Sequence, residues 1–111
     1  MRGGKLNVKG ERSKMMLDLN HKKLDVWKMG VSFVTKIYDL TKDFPKTEIY
    51  GITNQLRRAA VSIPSNIAEG ASRDSVKDRK RFYEIARSSL VEIDTQLEIS
   101  MRLSYFNSQT N

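Results

Sequence analysis

The run Gln55-Leu-Arg-Arg-Ala-Ala-Val-Ser-Ile-Pro-Ser-Asn-Ile-Ala-Glu-Gly70 decides the fold. Within and just before it, Ile49, Ile52, Leu56, Ala59, Ile63 and Ile67 recur at steps of three or four, the signature of one apolar helix face. Pro64 sits inside that pattern. It removes the hydrogen bond to the Ala60 carbonyl and crowds it, yet the apolar register continues to Ile67, so a kink and not a break is expected. The spacing predicts a helix from about Thr47, its expected cap, to Gly70, expected to end it in a left-handed conformation. Ser62, Ser65 and Asn66 surround the proline, where short polar side chains can satisfy carbonyls it leaves unpaired.

Upstream, a helix is predicted from about Asp25, read as its N-cap, to Lys42. Trp27, Val31, Val34, Tyr38 and Thr41 form one apolar row, and Phe33, Ile37, Leu40 and Phe44 a second beside it. Pro45 stops this helix. Downstream, Ser75 followed by Asp78 resembles a capping box. Tyr83, Ala86, Leu90, Ile93, Leu97 and Met101 then step almost as a heptad seam. A helix from Ser75 to Leu103 would be about 43 Å long, a length suited to lengthwise packing. The expected architecture is all-α: an up-down antiparallel bundle of three long helices. Its apolar stripes, with Trp27, Phe33, Phe82, Ile85 and Ile99 among them, exceed what three helices hide from one another, so a partner chain is expected to cover some.

The whole chain has 111 residues, one domain's length. Residues 1–20 have no apolar period and contain Gly3, Gly4 and Gly10; they read as a flexible basic arm. Residues 21–106 are the bundle, and 107–111 a short tail. Met15 or Met16 is an alternative start. No apolar run is long enough to span a membrane, and no apolar segment follows the basic N-terminus, so a cytoplasmic protein is expected. There is no cysteine, which excludes disulfides, thiol nucleophiles and thiolate metal sites. The lone histidine, His21, adjoins the arm. Catalysis by a serine near Pro64 would need a positioned base, and none is near. Glu92, Asp94 and Glu98 diverge around their helix, and no Glu-x-x-His pair or phosphate loop occurs. The expectation is a protein that is not an enzyme and takes no metal or cofactor.

The net charge is +7, of which +5 falls on residues 1–23. Such a balance favours polyanions, unless the arm serves only solubility. Arg57 and Arg58, about 100° apart on a helix, are candidate phosphate contacts or oligomer-lining charges; the alternative is a pair of salt bridges, to Glu69 or an acidic residue of the third helix. The third helix opens with Arg73, Lys77, Arg79, Lys80, Arg81 and Arg87 against Asp74, Asp78 and Glu84. Arg73, Lys77, Lys80 and Arg81 are candidate contacts to a nucleic-acid backbone. The competing reading is a solvated face with pairs such as Lys80 with Glu84. Phe82 and Tyr83, though they lie among the basic residues, read as core.

The same run, with Gln55, Ser62, Pro64, Ser65, Asn66, Glu69 and Gly70 as its mainly structural positions, resembles the signature of the 23S rRNA intervening-sequence proteins. Val26-Trp27-Lys28, Ile37-Tyr38-Asp39-Leu40-Thr41, Phe44-Pro45, Ser88-Ser89-Leu90, Glu92 and Thr95-Gln96-Leu97-Glu98 extend the likeness over about residues 21–106. The resemblance implies a four-helix bundle fold. It is similar also to the accessory protein of diversity-generating retroelements, which implies a homo-oligomer, a ring of five, with RNA or DNA and a protein such as a reverse transcriptase as partners. Family members carry a fourth helix after the segment matching Leu103-Ser104-Tyr105-Phe106, where this chain has only Asn107 to Asn111. A natural short form, a truncated reading frame and a fragment are the readings of that difference. The function expected is a non-catalytic, oligomeric, nucleic-acid-associated protein; the alternative is a protein-interaction adaptor whose basic charge is incidental.

Overall fold

A computed structural model describes residues 19–107. Within them the chain forms three α-helices, α1 (Asp25–Thr41), α2 (Ile52–Ala71) and α3 (Val76–Arg102), with short 3-10 turns at Asn20–Lys23 and Lys46–Glu48. There is no strand among the described residues, and none of their helices is long and apolar enough to cross a membrane. The fold is all-α, as the periodicity predicts. Most of the basic arm, residues 1–18, lies outside the described residues, as does the tail from 108 to 111.

The helices run up, down and up. Ser62 meets Ser89 and Gln55 meets Gln96, so position falls along α2 as it rises along α3. Likewise Gly30 lies against Pro64 while Thr41 meets Arg57. Both outer helices pack on α2, but the backbones of α1 and α3 do not approach each other. The floor between them is the most deeply buried part of the chain: Leu56, Ala60, Ile63 and Ile67 of α2, with Ile37 of α1 and Ile93 of α3. Each large aliphatic group there contributes roughly 1.5–3 kcal/mol. Above this floor lies an open groove of about 1060 Å³, lined by Phe33, Ile37 and Leu40 on one side and Leu97, Tyr105 and Phe106 on the other.

The seams differ from those the sequence predicts. On α1 the residues facing α2 are Trp27, Gly30, Val34, Ile37 and Thr41, at steps of three and four, while Val31 and Tyr38 are exposed. Gly30 is the reason: a Cβ there would come 3.3 Å from Cβ of Pro64, so the helices cross closely at a residue without a side chain. On α3 the buried row is Ala86, Ser89, Ile93, Gln96 and Ser100. Leu90 of the predicted seam is 51% exposed. Polar side chains win the central positions because α2 offers them partners: Ser89 Oγ donates to Ser62 Oγ at 2.9 Å, and Gln96 Nε2 donates to Gln55 Oε1 at 3.2 Å and Glu92 Oε2 at 3.0 Å. Ser100 Oγ donates back to the Gln96 carbonyl. Hydrophobicity alone places Leu90 in that row; hydrogen-bond satisfaction overrides it.

Three expected helix ends are also corrected. Asp25 is the first residue of α1, not its cap; Leu24 occupies that position without a capping side chain. Thr47 lies in the 3-10 turn, and α2 starts only at Ile52, whose amide donates to Glu48 Oε1. Gly70 does not stop α2. It is helical and its φ is not positive. Its want of a side chain serves packing: a Cβ there would lie 2.7 Å from Cε1 of Tyr83. Two expectations hold. The α-helix continues through Pro64 to Ala71, and Ser75 caps α3 by accepting from the Asp78 amide at 3.1 Å.

The end of α3 is held by a different device. Tyr105 N–H donates to the Ser100 carbonyl and Ser104 N–H to that of Met101, with Ser104 at φ 66°. This is a Schellman motif with serine where glycine is usual. It turns Tyr105 and Phe106 onto Phe44, at ring separations of 5.4 and 6.2 Å. Tyr105 Oη donates to Glu48 Oε2 at 2.7 Å.

Candidate nucleic-acid interface

The structure separates the six candidate cations into distinct environments. Arg57 is half-buried against the C-terminal turn of α1. Its Nε donates to Thr41 Oγ1 at 2.8 Å, its Nη2 reaches the Tyr38 carbonyl at 3.4 Å, and its guanidinium lies 4.5 Å from the centre of the Tyr38 ring. Thr41 Oγ1 in turn donates to the Ile37 carbonyl. Arg57 thus ties α2 to the end of α1, where the last carbonyls carry partial negative charge. The expected salt bridge to Glu69 or to α3 is not its partner. Arg58 is exposed on the outer side of α2, and it too has no ion pair.

Arg73 lies fifteen residues beyond Arg58, in the turn before α3, so the two are about 22 Å apart along the chain's helical path. They do not form one site. Arg73, Lys77, Lys80 and Arg81 do cluster, at the α2–α3 turn and the first turns of α3. Arg73 is the residue that pairs with Glu69, at 2.5 Å. Both partners are nearly half exposed, so the pair contributes little to stability. Arg79 Nη1 donates to the Arg73 carbonyl at 3.1 Å and fastens the turn. The guanidinium of Arg73 lies 4.9 Å from the centre of the Phe82 ring, and that of Arg81 4.7 Å from the same ring.

Lys77, Lys80 and Arg81 are exposed, and none has an acidic partner within 4 Å among the described residues. The expected Lys80–Glu84 pair is not formed. On a helix Lys77 and Lys80 face away from the Ala86–Ile93 seam and project to solvent, whereas Arg81 lies to the side, against Phe82. Lys77, in the first turn, also sits where the helix itself disfavours a cation. The N-terminal turns of a helix carry partial positive charge, and a cation there costs stability. Phe82 is half-buried and Tyr83 is 40% exposed, so neither is the core residue that helical spacing suggests. Sequence reasoning passes over Phe82 as a support for arginines because an aromatic at helical spacing reads as core.

Several motif residues of α2 make contacts within the bundle. Asn66 Nδ2 donates to the Ser62 carbonyl and to Ser62 Oγ, and Ser62 Oγ also accepts from Ser89. The carbonyl engaged is that of Ser62, not of Ala60 as the proline argument predicts. Ser65 is exposed. Pro64 is buried on Gly30, and Gln55 receives the Gln96 amide. No group of three or more metal-ligating side chains is arranged for a metal ion among the described residues. His21 stands edge-on to Trp27 at 5.1 Å.

A search of curated proteins finds no significant match. The sequence model of the 23S rRNA-intervening sequence protein family, in contrast, matches residues 22–111, which take in all three α-helices. The proline-bearing α2, its polar seam with α3 and the match over most of the chain agree: this protein belongs to the 23S rRNA-intervening sequence protein family.

Proposed function

We propose that the protein is a non-catalytic, oligomeric, cytoplasmic protein that binds RNA or DNA through the nucleic-acid backbone. The observation that carries this reading is the set of exposed, acid-free cations on α3: Lys77, Lys80 and Arg81. A face optimised for stability alone would place an acid at Lys77, in the first turn of α3. Exposed cations without an acidic partner are available to phosphates. Family membership supports the association with nucleic acid. A fluorescence anisotropy titration against RNA and DNA at two salt concentrations tests it. Binding must weaken steeply with salt, and Lys77, Lys80 and Arg81 reversed to Glu must weaken it further. Salt-insensitive binding, or none, overturns the reading.

A second reading is favoured by the groove between α1 and α3. Phe33, Ile37, Leu40 and Leu97 line it, with Lys36, Asp39 and Asp43 beside them, and an apolar groove edged by charge suits another polypeptide. The homo-oligomer belongs to our proposal, with a ring of five from the family resemblance. An adaptor role toward a protein such as a reverse transcriptase is the alternative. Light scattering coupled to size exclusion separates assembly from monomer.

A further inference from the structure

The Arg73–Phe82–Arg81 cluster has a feature that a merely solvated basic face does not need. Two guanidinium groups share one aromatic ring. Arginine side chains lose considerable rotamer freedom when they bind. A ring that attracts both cations holds them in place beforehand. The Arg73 side chain is restrained once more, through Glu69, and Arg79 fixes the backbone of the turn that carries it. Guanidinium forks match phosphate oxygens with paired hydrogen bonds. A surface that needed only charge would be served equally well by lysines.

We propose that Arg73 and Arg81, both braced on Phe82, form a clamp of two guanidiniums for the phosphate backbone of nucleic acid, with Phe82 as its positioning residue. This rests on the nucleic-acid reading above and deepens it. Phe82 carries no charge and touches no phosphate; it acts through the two arginines. Lys77 and Lys80 supply attraction at longer range, whereas the clamp fixes where the strand lies.

A double-mutant cycle on the full chain, read by anisotropy with a labelled RNA oligonucleotide, tests it. Phe82→Leu should weaken binding about three- to tenfold, the cost of re-ordering one or two arginines, while leaving the slope of affinity against salt unchanged because no charge is removed. Phe82→Trp, which keeps an aromatic face, should restore affinity. Arg73→Gln with Arg81→Gln should flatten the salt slope by about two. In that background Phe82→Leu should have no further effect. Circular dichroism and thermal melting show which variants are folded; should Phe82→Leu fail that check, the Phe82→Trp and arginine variants still decide. Overturning results are a Phe82→Leu variant that binds as the parent does, or one whose loss is the same with and without the arginines. If these appear while the Lys77, Lys80 and Arg81 reversal still abolishes binding, the clamp fails and the broader reading stands. If the parent protein binds neither RNA nor DNA, both fall.

Discussion

A methyl group on Gly70 would meet not only the Tyr83 ring but the backbone carbonyl of Arg79, at 3.2 Å. A ring can turn; a carbonyl at the start of α3 cannot move without displacing the helix. Gly70→Ala is therefore expected to destabilise by about 1–3 kcal/mol, despite the gain of roughly 1 kcal/mol that alanine brings to a helix interior. Urea unfolding measures it. Ser104 presents the opposite case. At φ 66° it occupies a region that costs a residue with a Cβ about 1–2 kcal/mol. Ser104→Gly should raise the urea midpoint by the equivalent of about 0.5–1 kcal/mol, since glycine's own entropic cost cancels part of the relief. An unchanged or lower midpoint would mean that the serine side chain compensates for its strain. Neither position could be interpreted this way from sequence. Gly70 looks like a helix stop because helix stops are where glycine is most often informative, and nothing local announces that a ring from another helix needs the space.

At the scale of the helices, existence and order are legible and rotation is not. Pro45, Ser75 and the three- and four-residue steps place three helices to within a few residues. The run around Pro64 shows its helix unbroken. The error lies in how α3 turns toward α2. Its most apolar stripe includes Leu90, which is exposed, and Leu97, which lines the open groove, whereas Ser89, Gln96 and Ser100 face the neighbour. Counting apolar residues cannot find a seam in which Ser89 and Gln96 hydrogen-bond across to α2. For the same reason the basic residues of α3 are legible as a group, while their distribution among paired, braced and free is not. The unpaired cations make a prediction in which stability and binding move oppositely. Lys77→Glu should stabilise the protein by about 0.3–1 kcal/mol, because an anion in the first turn complements the helix dipole. The same change should weaken RNA binding. Thermal melts and anisotropy on one preparation read both; a destabilised variant would show that Lys77 has a structural partner.

For the molecule as a whole, the groove and the segment after α3 matter most. The radius of gyration, 16.5 Å, exceeds the roughly 13 Å of a compact domain of about a hundred residues, as expected when two helices diverge from a third. If the proposed homo-oligomer uses the groove as its subunit contact, Leu97→Glu should shift the mass toward monomer in light scattering; an unchanged oligomer mass places the contact elsewhere. The Tyr105–Glu48 hydrogen bond closes one end of the groove and adds a pH dependence. The bond from Tyr105, then that from the Ile52 amide, holds the Glu48 carboxyl below its ordinary range, and the bond to Glu48 raises Tyr105 above its own. A carboxylate lowered on folding stabilises the fold at neutral pH, and that contribution is lost as pH falls below about 4.3 and through the folded value. A phenol raised on folding stabilises below about pH 10, and its share is lost as pH rises through the folded value. Tyr105→Phe should lower the thermal midpoint at pH 7, abolish the alkaline dependence and reduce the acid one, because the Ile52 amide still holds Glu48.

That same hydrogen bond joins residues 57 positions apart, and this has a bearing on the order of events in folding. Helices α2 and α3 are separated by a four-residue turn and can zip together early, since short loops close at little entropic cost. The bond from Tyr105 to Glu48 joins the far ends of the α2–α3 hairpin, so it is expected to form late, after the rate-limiting step. Its loss then falls on escape from the native state and not on arrival there. In stopped-flow chevrons Tyr105→Phe should leave the refolding limb where it is and lift the unfolding limb, which makes this single phenol a governor of how long each folded molecule lasts.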